Sequence, residues 1–220
     1  MNPENIIIFG AGGHAKTVIG VLECGEKWQL SGLVVDDDNL SSGKRVLGYE
    51  ILGNRSAFPI LQSKGIVKGF VAVGDNIARA EIAVSMQKSG FSLVNIVHPS
   101  ACIMKDVIVC EGTFINAFCI IGAECRVGLS AIIQPQTSLG HESFIGDYVQ
   151  FSPGVHIGGK VRIGDRSFFG PGAVVFPSVT IGRNVSVGAN TVVNKDVPDN
   201  AVIVGNPGRI VKHNTNRIQL

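Results

Sequence analysis

Tryptophan occurs once and tyrosine twice in 220 residues, there is no basic tract, and none of the five cysteines belongs to a CxxC pair. Each shortage removes a class of function. With a net charge of +2 and no interleaving of aromatics with arginines, nucleic acid is not an expected partner. The odd cysteine set, Cys24, Cys102, Cys110, Cys119 and Cys125, argues against a disulfide framework or a zinc ribbon and predicts reduced thiols. The apolar run before Gly10 is four residues long, too short for a signal peptide or a membrane span. The expectation is a cytoplasmic protein with no membrane association.

What the chain has instead is glycine, 28 of them, in a sequence that is 45% hydrophobic. Glycine weakens ordinary helices and strands, so this abundance implies a backbone that needs freedom at fixed places. From residue 97 the places are periodic. Every sixth residue, from Val97 and Ile103 through Leu139, Ile145, Phe151 and Ile157 to Val193, is large and apolar, seventeen positions without a break. At this apolar content such a run in a preset frame arises by chance about once in a million trials. Four places after each stands a small or β-branched residue, among them Cys119, Cys125, Thr137, Ser143 and Ser167. Directly after the large residue comes Gly or Asn in eleven of the seventeen hexads, residues that tolerate left-handed backbone angles. Pro99, Pro135, Pro153, Pro171 and Pro177 share the next slot.

A period of six suits neither an α-helix nor an antiparallel sandwich, but it suits a solenoid of stacked coils with parallel strand pairing. Large residues fill the interior with small ones beside them, so Cys119 and Cys125 are packing residues. The repeat resembles that of the hexapeptide-repeat acyltransferases. That resemblance implies three hexads per coil, a left-handed winding, and five to six coils standing roughly 25 to 30 Å tall.

The amino-terminal third, residues 1–96, follows another pattern. A buried strand, NIIIF, runs into the turn Gly10-Ala11-Gly12-Gly13-His14 and a helix; LSGLVV ends in Asp36-Asp37-Asp38; GFVAVG runs into Asp75, Asn76 and a second helix. Alternating strands and helices predict a small Rossmann-like parallel sheet, an α/β domain preceding the all-β coil of residues 97–220. In such a sheet ligands lie at the carboxyl ends of strands, where a glycine turn presents N–H groups to a phosphate and Asp36 is placed for a ribose or a base edge. The same residues also read as a tight structural turn with a solvated acidic loop.

On the coil, His141 and Glu142 occupy two corner slots after Leu139-Gly140 and are dispensable to packing. At a spacing of eighteen, Gly159 stands above His141 and Ala123 below it, which strips the wall of bulk; Lys160 and Glu124 flank Glu142 in the same way. A groove at Gly159 would admit a pantetheine arm, and the N–H groups of Gly158 and Gly159 would meet an oxyanion. Histidine is suited to take the proton of an attacking amine or hydroxyl, and a neighbouring carboxylate to fix its tautomer. His156 is expected on the surface, and no three histidines converge as a metal would require.

The order of these parts resembles the bacterial sugar O- and N-acetyltransferases, which join a small nucleotide-binding domain to a left-handed β-helix. The likeness rests on GAGGHAK at 10–16, VVDDD at 34–38, AVGDNIAR at 72–79, IVHPSA at 96–101, SLGHESFIGDYVQFSPGVHIGG at 138–159 and VIVGNPGRIVK at 202–212. It implies acetyl-coenzyme A as co-substrate with no metal, and a homotrimer with active sites between neighbouring coils. It further implies His141 as general base assisted by Glu142, coenzyme contacts at Gln150, Gly159, Pro171 and Ala189, and nucleotide-sugar contacts at Gly12, Gly13, His14, Asp36, Asp37 and Gly74. Gln150 stands where many relatives carry histidine. Within the family the resemblance favours N-acetylation of the 4-amino group of a nucleotide-linked 4-amino-4,6-dideoxy sugar such as a perosamine or bacillosamine precursor. O-acetylation of a sugar such as sialic acid, and a non-catalytic nucleotide-binding scaffold, are the alternatives.

Overall fold

The structure, a computed structural model, describes residues 3–36 and 43–214. The chain forms two compact units, residues 1–99 and 100–220. In the first, β1 (Glu4–Phe9), β2 (Trp28–Val34), β3 (Arg45–Val46), β4 (Tyr49–Gly53), β5 (Lys68–Val71) and β6 (Ser92–Leu93) make one sheet in the order β3-β4-β2-β1-β5-β6. All neighbours are parallel except the β3–β4 pair. The helices α1 (Gly13–Glu23), α2 (Phe58–Ser63) and α3 (Asn76–Lys88) intervene. The expected α/β domain is present. The β3–β4 hairpin and α2 come from a segment in which no element was expected.

The central strand β1 is apolar at four consecutive positions, Ile6 to Phe9, and all four are buried, as a strand covered on both faces requires. Its carboxyl end is tied to its neighbours: Gly10 N–H donates to the Val34 carbonyl (2.8 Å), and Ala72 N–H to that of Phe9 (2.8 Å). Gly10 has φ +122°, and a Cβ there would stand 2.7 Å from the Ala72 carbonyl oxygen, so no other residue fits this crossing. On the other side, Val35 N–H donates to the Gly53 carbonyl (3.0 Å). The ends of β1, β2, β4 and β5 therefore lie side by side, and every ligand-type motif of this unit emerges from that edge.

In the second unit, two-residue strands recur every six residues and pair in parallel with those eighteen residues on, as in Ile120↔Ser138, Ser138↔His156 and His156↔Val174. They make three faces. One holds the strands from Phe114–Ile115 to Ser186–Val187, one those from Cys102–Ile103 to Val192–Val193, and one those from Ile108–Val109 to Thr180–Ile181. This is the three-sided β-helix that the family resemblance implies. The large residues from Ile115 to Val193 are buried in one continuous core with the small ones beside them. Ile103 is exposed, since it lies on the edge strand of its face, paired on one side only.

The structure refines two local readings. The residues with left-handed backbone are not the glycines after the large residue but those two places later: Glu124 (φ 62°), Glu142 (φ 57°), Lys160 (φ 59°) and Ser178 (φ 63°) turn one column of corners. The glycines serve close approach instead, because a Cβ on Gly122 would stand 2.6 Å from the His141 nitrogen in the next coil. The small inward slot also does more than fill space. Its hydroxyls and thiols reach the carbonyl fifteen residues ahead, Ser143 Oγ to Gly158 (3.1 Å), Ser167 Oγ to Gly182 (2.9 Å), Cys125 Sγ to Gly140 (2.9 Å) and Cys119 Sγ to Gln134 (3.2 Å). Burial holds both thiols above the ordinary cysteine pKa, which suits buried donors rather than nucleophiles.

Candidate functional site

Two groups of residues stand out, one on each unit. At the strand ends of the first, Gly12 caps α1 without a side-chain bond, and the first helical turn carries no acidic residue. A Cβ on Gly12, Gly13 or Gly74 would meet nothing within 4 Å, so packing does not demand glycine at these three places. Their effect is to leave bare backbone facing open space, the surface a phosphate needs.

His14 follows in the first turn of α1. Burial, and secondarily the Arg79 charge, lowers its pKa from 6.5 to about 4. Arg79 is fully buried within α3; Nη1 donates to the carbonyls of Val73 (3.2 Å) and Gly74 (3.0 Å), and Nη2 to Asn76 Oδ1 (2.7 Å). It thereby fixes the β5–α3 turn, whose Asp75 caps α3 through the N–H groups of Ile77 and Ala78. Asp36 does not stand alone at the end of β2, since Arg55 grips its carboxylate. Asp37 lies outside the described residues.

The depressed pKa of His14 carries a testable consequence. Between pH 6.5 and about 4 the unfolded chain binds a proton at this position that the folded chain refuses. Stability from this group is therefore complete above pH 6.5, falls as pH drops, and by pH 4 is lower by roughly 3 kcal/mol. Urea denaturation of His14→Gln at pH 7 and pH 4.5 should show a smaller difference than the parent; an equal difference would remove His14 as the cause.

On the coil, His141 and Glu142 sit at the corner between the strands Ser138–Leu139 and Phe144–Ile145. The backbone is pinned from both sides: Glu142 N–H donates to the Ala123 carbonyl (2.8 Å), and Lys160 N–H to that of His141 (2.8 Å). His141 Nδ1 lies 2.8 Å from Glu142 Oε2, and Lys160 Nζ lies 3.6 Å from Oε1. The hydrogen bond from His141, with the Lys160 charge assisting, holds the Glu142 carboxyl below its ordinary pKa. An ionised carboxylate only accepts, so Nδ1 carries a proton, and in the neutral ring the lone pair is on Nε2.

Gly159 lies beneath that ring. A Cβ there would stand 2.6 Å from Nε2, 2.9 Å from Cε1 and 3.1 Å from Cδ2 of His141, so the bareness at Gly159 accommodates the imidazole itself. Of the two N–H groups read as oxyanion donors, that of Gly158 is committed to the Val175 carbonyl (2.9 Å). Only Gly159 is left for that role. Beside Glu142 an open depression of about 710 Å³ is lined by Phe144 between Arg126 and Arg162.

The other expected coenzyme positions lie elsewhere on the coil. Pro171 and Ala189 are exposed and stack at a different corner, where Asn190 N–H donates to the Pro171 carbonyl (2.8 Å). Gln150 is half-buried on the face leading into that corner. Between the two corners runs the face bearing Ser138 and His156, joined by a 2.8 Å hydrogen bond between Oγ and Nδ1. One copy of the chain therefore brings His141, Glu142 and Gly159 together but not Gln150, Pro171 and Ala189 with them. Among the described residues no group of three or more His, Cys, Asp or Glu is placed to hold a metal, and no helix is long and apolar enough to cross a membrane.

The PglD N-terminal domain family matches residues 5–86, and the bacterial transferase hexapeptide family matches residues 142–177. The crystal structure of PerB from Caulobacter crescentus, in complex with CoA and GDP-perosamine, is 37% identical with a TM-score of 0.88, covering 94% of this chain and 97% of that one. The chain belongs to the bacterial sugar-nucleotide acetyltransferases. Other members of this hexapeptide-repeat family are similar over different spans. The acetyltransferase domain of PglB from Neisseria gonorrhoeae, in complex with acetyl coenzyme A, is 28% identical with a TM-score of 0.84, covering 95% of this chain and 100% of that one. The GDP-perosamine N-acetyltransferase of Escherichia coli O157:H7 is 30% identical over 154 residues, 67% of this chain and 66% of its own length. The UDP-N-acetylbacillosamine N-acetyltransferase of Bacillus subtilis is 29% identical over 114 residues, 52% of each chain. The matches thus span about two thirds and about half of those two curated relatives. The family's left-handed β-helix is the coil described above.

Proposed function

We propose that this chain transfers the acetyl group of acetyl-coenzyme A to the 4-amino group of a nucleotide-linked 4-amino-4,6-dideoxy sugar, GDP-perosamine or a UDP-linked analogue, in cytoplasmic surface-glycan biosynthesis. The observation that carries the reading is the His141–Glu142 pair, with Nδ1 held at 2.8 Å and the ring laid over Gly159. The strand ends of the amino-terminal unit hold the nucleotide, with Gly12, Gly13 and Gly74 offering backbone and His14 and Asp36 offering side chains.

Acetyl-coenzyme A supplies an activated thioester, and the residues of this chain supply a base and a place. Nε2 of His141 takes the proton of the acceptor amine as it attacks, and Glu142 stabilises the imidazolium that results. An amine that arrives as ammonium first gives up its extra proton to solvent, so that the Nε2 lone pair is free at attack, and the imidazolium then returns its proton to the departing coenzyme thiolate. The Gly159 N–H meets the charge that gathers on the thioester oxygen.

The active unit is a homotrimer. Its support is the separation of the two corners: a site that holds both His141 and the coenzyme positions Gln150, Pro171 and Ala189 is complete only when the corner of one copy faces that of another. Exposed Phe118 and Ile120 lie at one end of the face between those corners and exposed Phe176 on its edge three coils on, apolar surface that a second copy could cover. The deciding assay follows thiol release from acetyl-coenzyme A across GDP-, UDP- and dTDP-linked amino sugars, with light scattering on the same preparation. Turnover with a nucleotide-linked amino sugar at the mass of three chains is expected. Turnover only with a hydroxyl acceptor, or none with any, would overturn the reading.

A further inference from the structure

Arg55 is held by three neighbouring elements. It opens a 3-10 turn, Arg55–Ala57, two residues beyond Gly53, the residue whose carbonyl receives the Val35 N–H, so it stands beside Asp36 by construction. Its Nε donates to Asp36 Oδ2 (2.8 Å) and Oδ1 (3.1 Å), and Nη2 lies 2.6 Å from Oδ2. Nη1 donates to Ser85 Oγ on α3 at 2.7 Å, and the guanidinium carbon lies 5.3 Å from the centroid of the Phe9 ring at the end of β1. Phe9 is itself wedged edge-on against Phe58, with centroids 6.4 Å apart.

With the side chains of Arg55 and Asp36 40% and 46% exposed, solvent screens their attraction, and the pair adds little to stability. What it supplies is order. An isolated carboxylate at this exposure samples several rotamers, whereas one gripped by an anchored fork keeps one. A carboxylate has about four lone-pair sites, and the guanidinium, approaching from one edge, leaves sites on both oxygens to accept further donors.

We propose that Arg55 is the positioning residue of the nucleoside site: it presents the Asp36 carboxylate as a fixed acceptor for two adjacent N–H or O–H donors of a bound nucleotide. The inference rests on the nucleotide-sugar reading above. Two parts of a nucleotide offer that chemistry, the 2′,3′-diol of the ribose and the N1–H with the 2-amino group of guanine. A uracil edge places its single N–H between two carbonyl oxygens, which a carboxylate repels, so a contact at the base favours guanine.

The test is calorimetric binding of GDP, 2′-deoxy-GDP, IDP and UDP to the parent, Arg55→Gln, Arg55→Lys, Asp36→Asn and the Arg55→Gln/Asp36→Asn double variant. GDP affinity is expected to fall about tenfold in Arg55→Gln, with little recovery in Arg55→Lys, whose single ammonium cannot fork. In the double variant the losses should not add, because both remove one arrangement. KM for the nucleotide sugar should rise as GDP affinity falls, while KM for acetyl-coenzyme A holds. Discrimination against 2′-deoxy-GDP that vanishes in the variants assigns the ribose, and discrimination against IDP that vanishes assigns guanine; either supports the proposal. Parent-like GDP affinity in Arg55→Gln, or fully additive losses, overturns it while leaving the proposed function intact. A parent that binds no nucleotide and releases no thiol overturns both. Should Arg55→Gln fail to fold, Ser85→Ala removes one anchor alone, and parent-like GDP affinity there overturns the proposal equally.

Discussion

Alanine at position 141 is expected to lower kcat by about 10²- to 10⁴-fold, the range a positioned general base contributes, without unfolding the coil. The side chain projects from a corner and takes no part in the core, and the bonds that hold the corner, Glu142 N–H to Ala123 and Lys160 N–H to the His141 carbonyl, are made by backbone that alanine keeps. Binding of acetyl-coenzyme A and of nucleotide should stay near the parent value, so the loss belongs to the chemical step. Glu142→Gln tests the other half of the pair. The amide no longer commands the Nδ1–H tautomer, and a smaller loss, about tenfold or more, is expected. Thiol release at saturating substrates measures both, and a His141→Ala enzyme retaining more than a tenth of the parental kcat would end the assignment.

The second large effect is expected from a single methyl group. At Gly159 the backbone angles are ordinary, so alanine costs the fold little, yet its Cβ would stand within 3.1 Å of three atoms of the His141 ring. The imidazole must swing away from the coil, while the Glu142 main chain stays pinned at its corner, so the pair loses its present geometry. Misplacing a reacting group by about 1 Å costs on the order of 10²-fold. Gly159→Ala should therefore lower kcat by about that factor, with a melting temperature within a few degrees of the parent. A raised KM for acetyl-coenzyme A with kcat intact would instead make Gly159 the wall of the coenzyme groove, as the sequence suggests, and not the floor beneath the base.

The coil was legible because its period is geometric, one interior residue every six; with three hexads per coil taken from the family resemblance, the resulting interval of eighteen foretold Lys160 and Glu124 on either side of Glu142. The ion pair of Lys160 with Glu142 follows directly from it. The same periodicity misled at the glycines, since Gly122 and the left-handed Glu124 both answer to a sharp bend and sequence does not say which residue bends and which is merely approached. Nor does it say that a buried thiol or hydroxyl will bond the carbonyl fifteen residues ahead, as small size alone explains Cys125 and Ser143 equally well. In the first unit the strand ends carried Gly12, His14 and Asp36 into view, but Arg55 stayed hidden. It stands 19 residues from its partner, in a segment whose short strands and six-residue helix leave too few repeats for a period to show. Arg79 lay inside a recognisable run, and nothing in that run foretold a fully buried guanidinium spent on the turn ahead of its helix.

The corners of the coil are held by main-chain bonds from the coil before and to the coil after, and the residues that turn them include Glu124, Glu142, Lys160 and Ser178, which share a backbone shape but no chemistry. Side chains there are interchangeable fittings on a fixed rack, since each coil touches only its neighbours. A new acid, base or donor can be mounted at any rung of the same column without asking the core to repack, and its reach is set in advance by the rise of one strand spacing per coil. The proposed base and its carboxylate occupy a single rung, and the rungs above and below are where a change of specificity could be written with the least disturbance to folding.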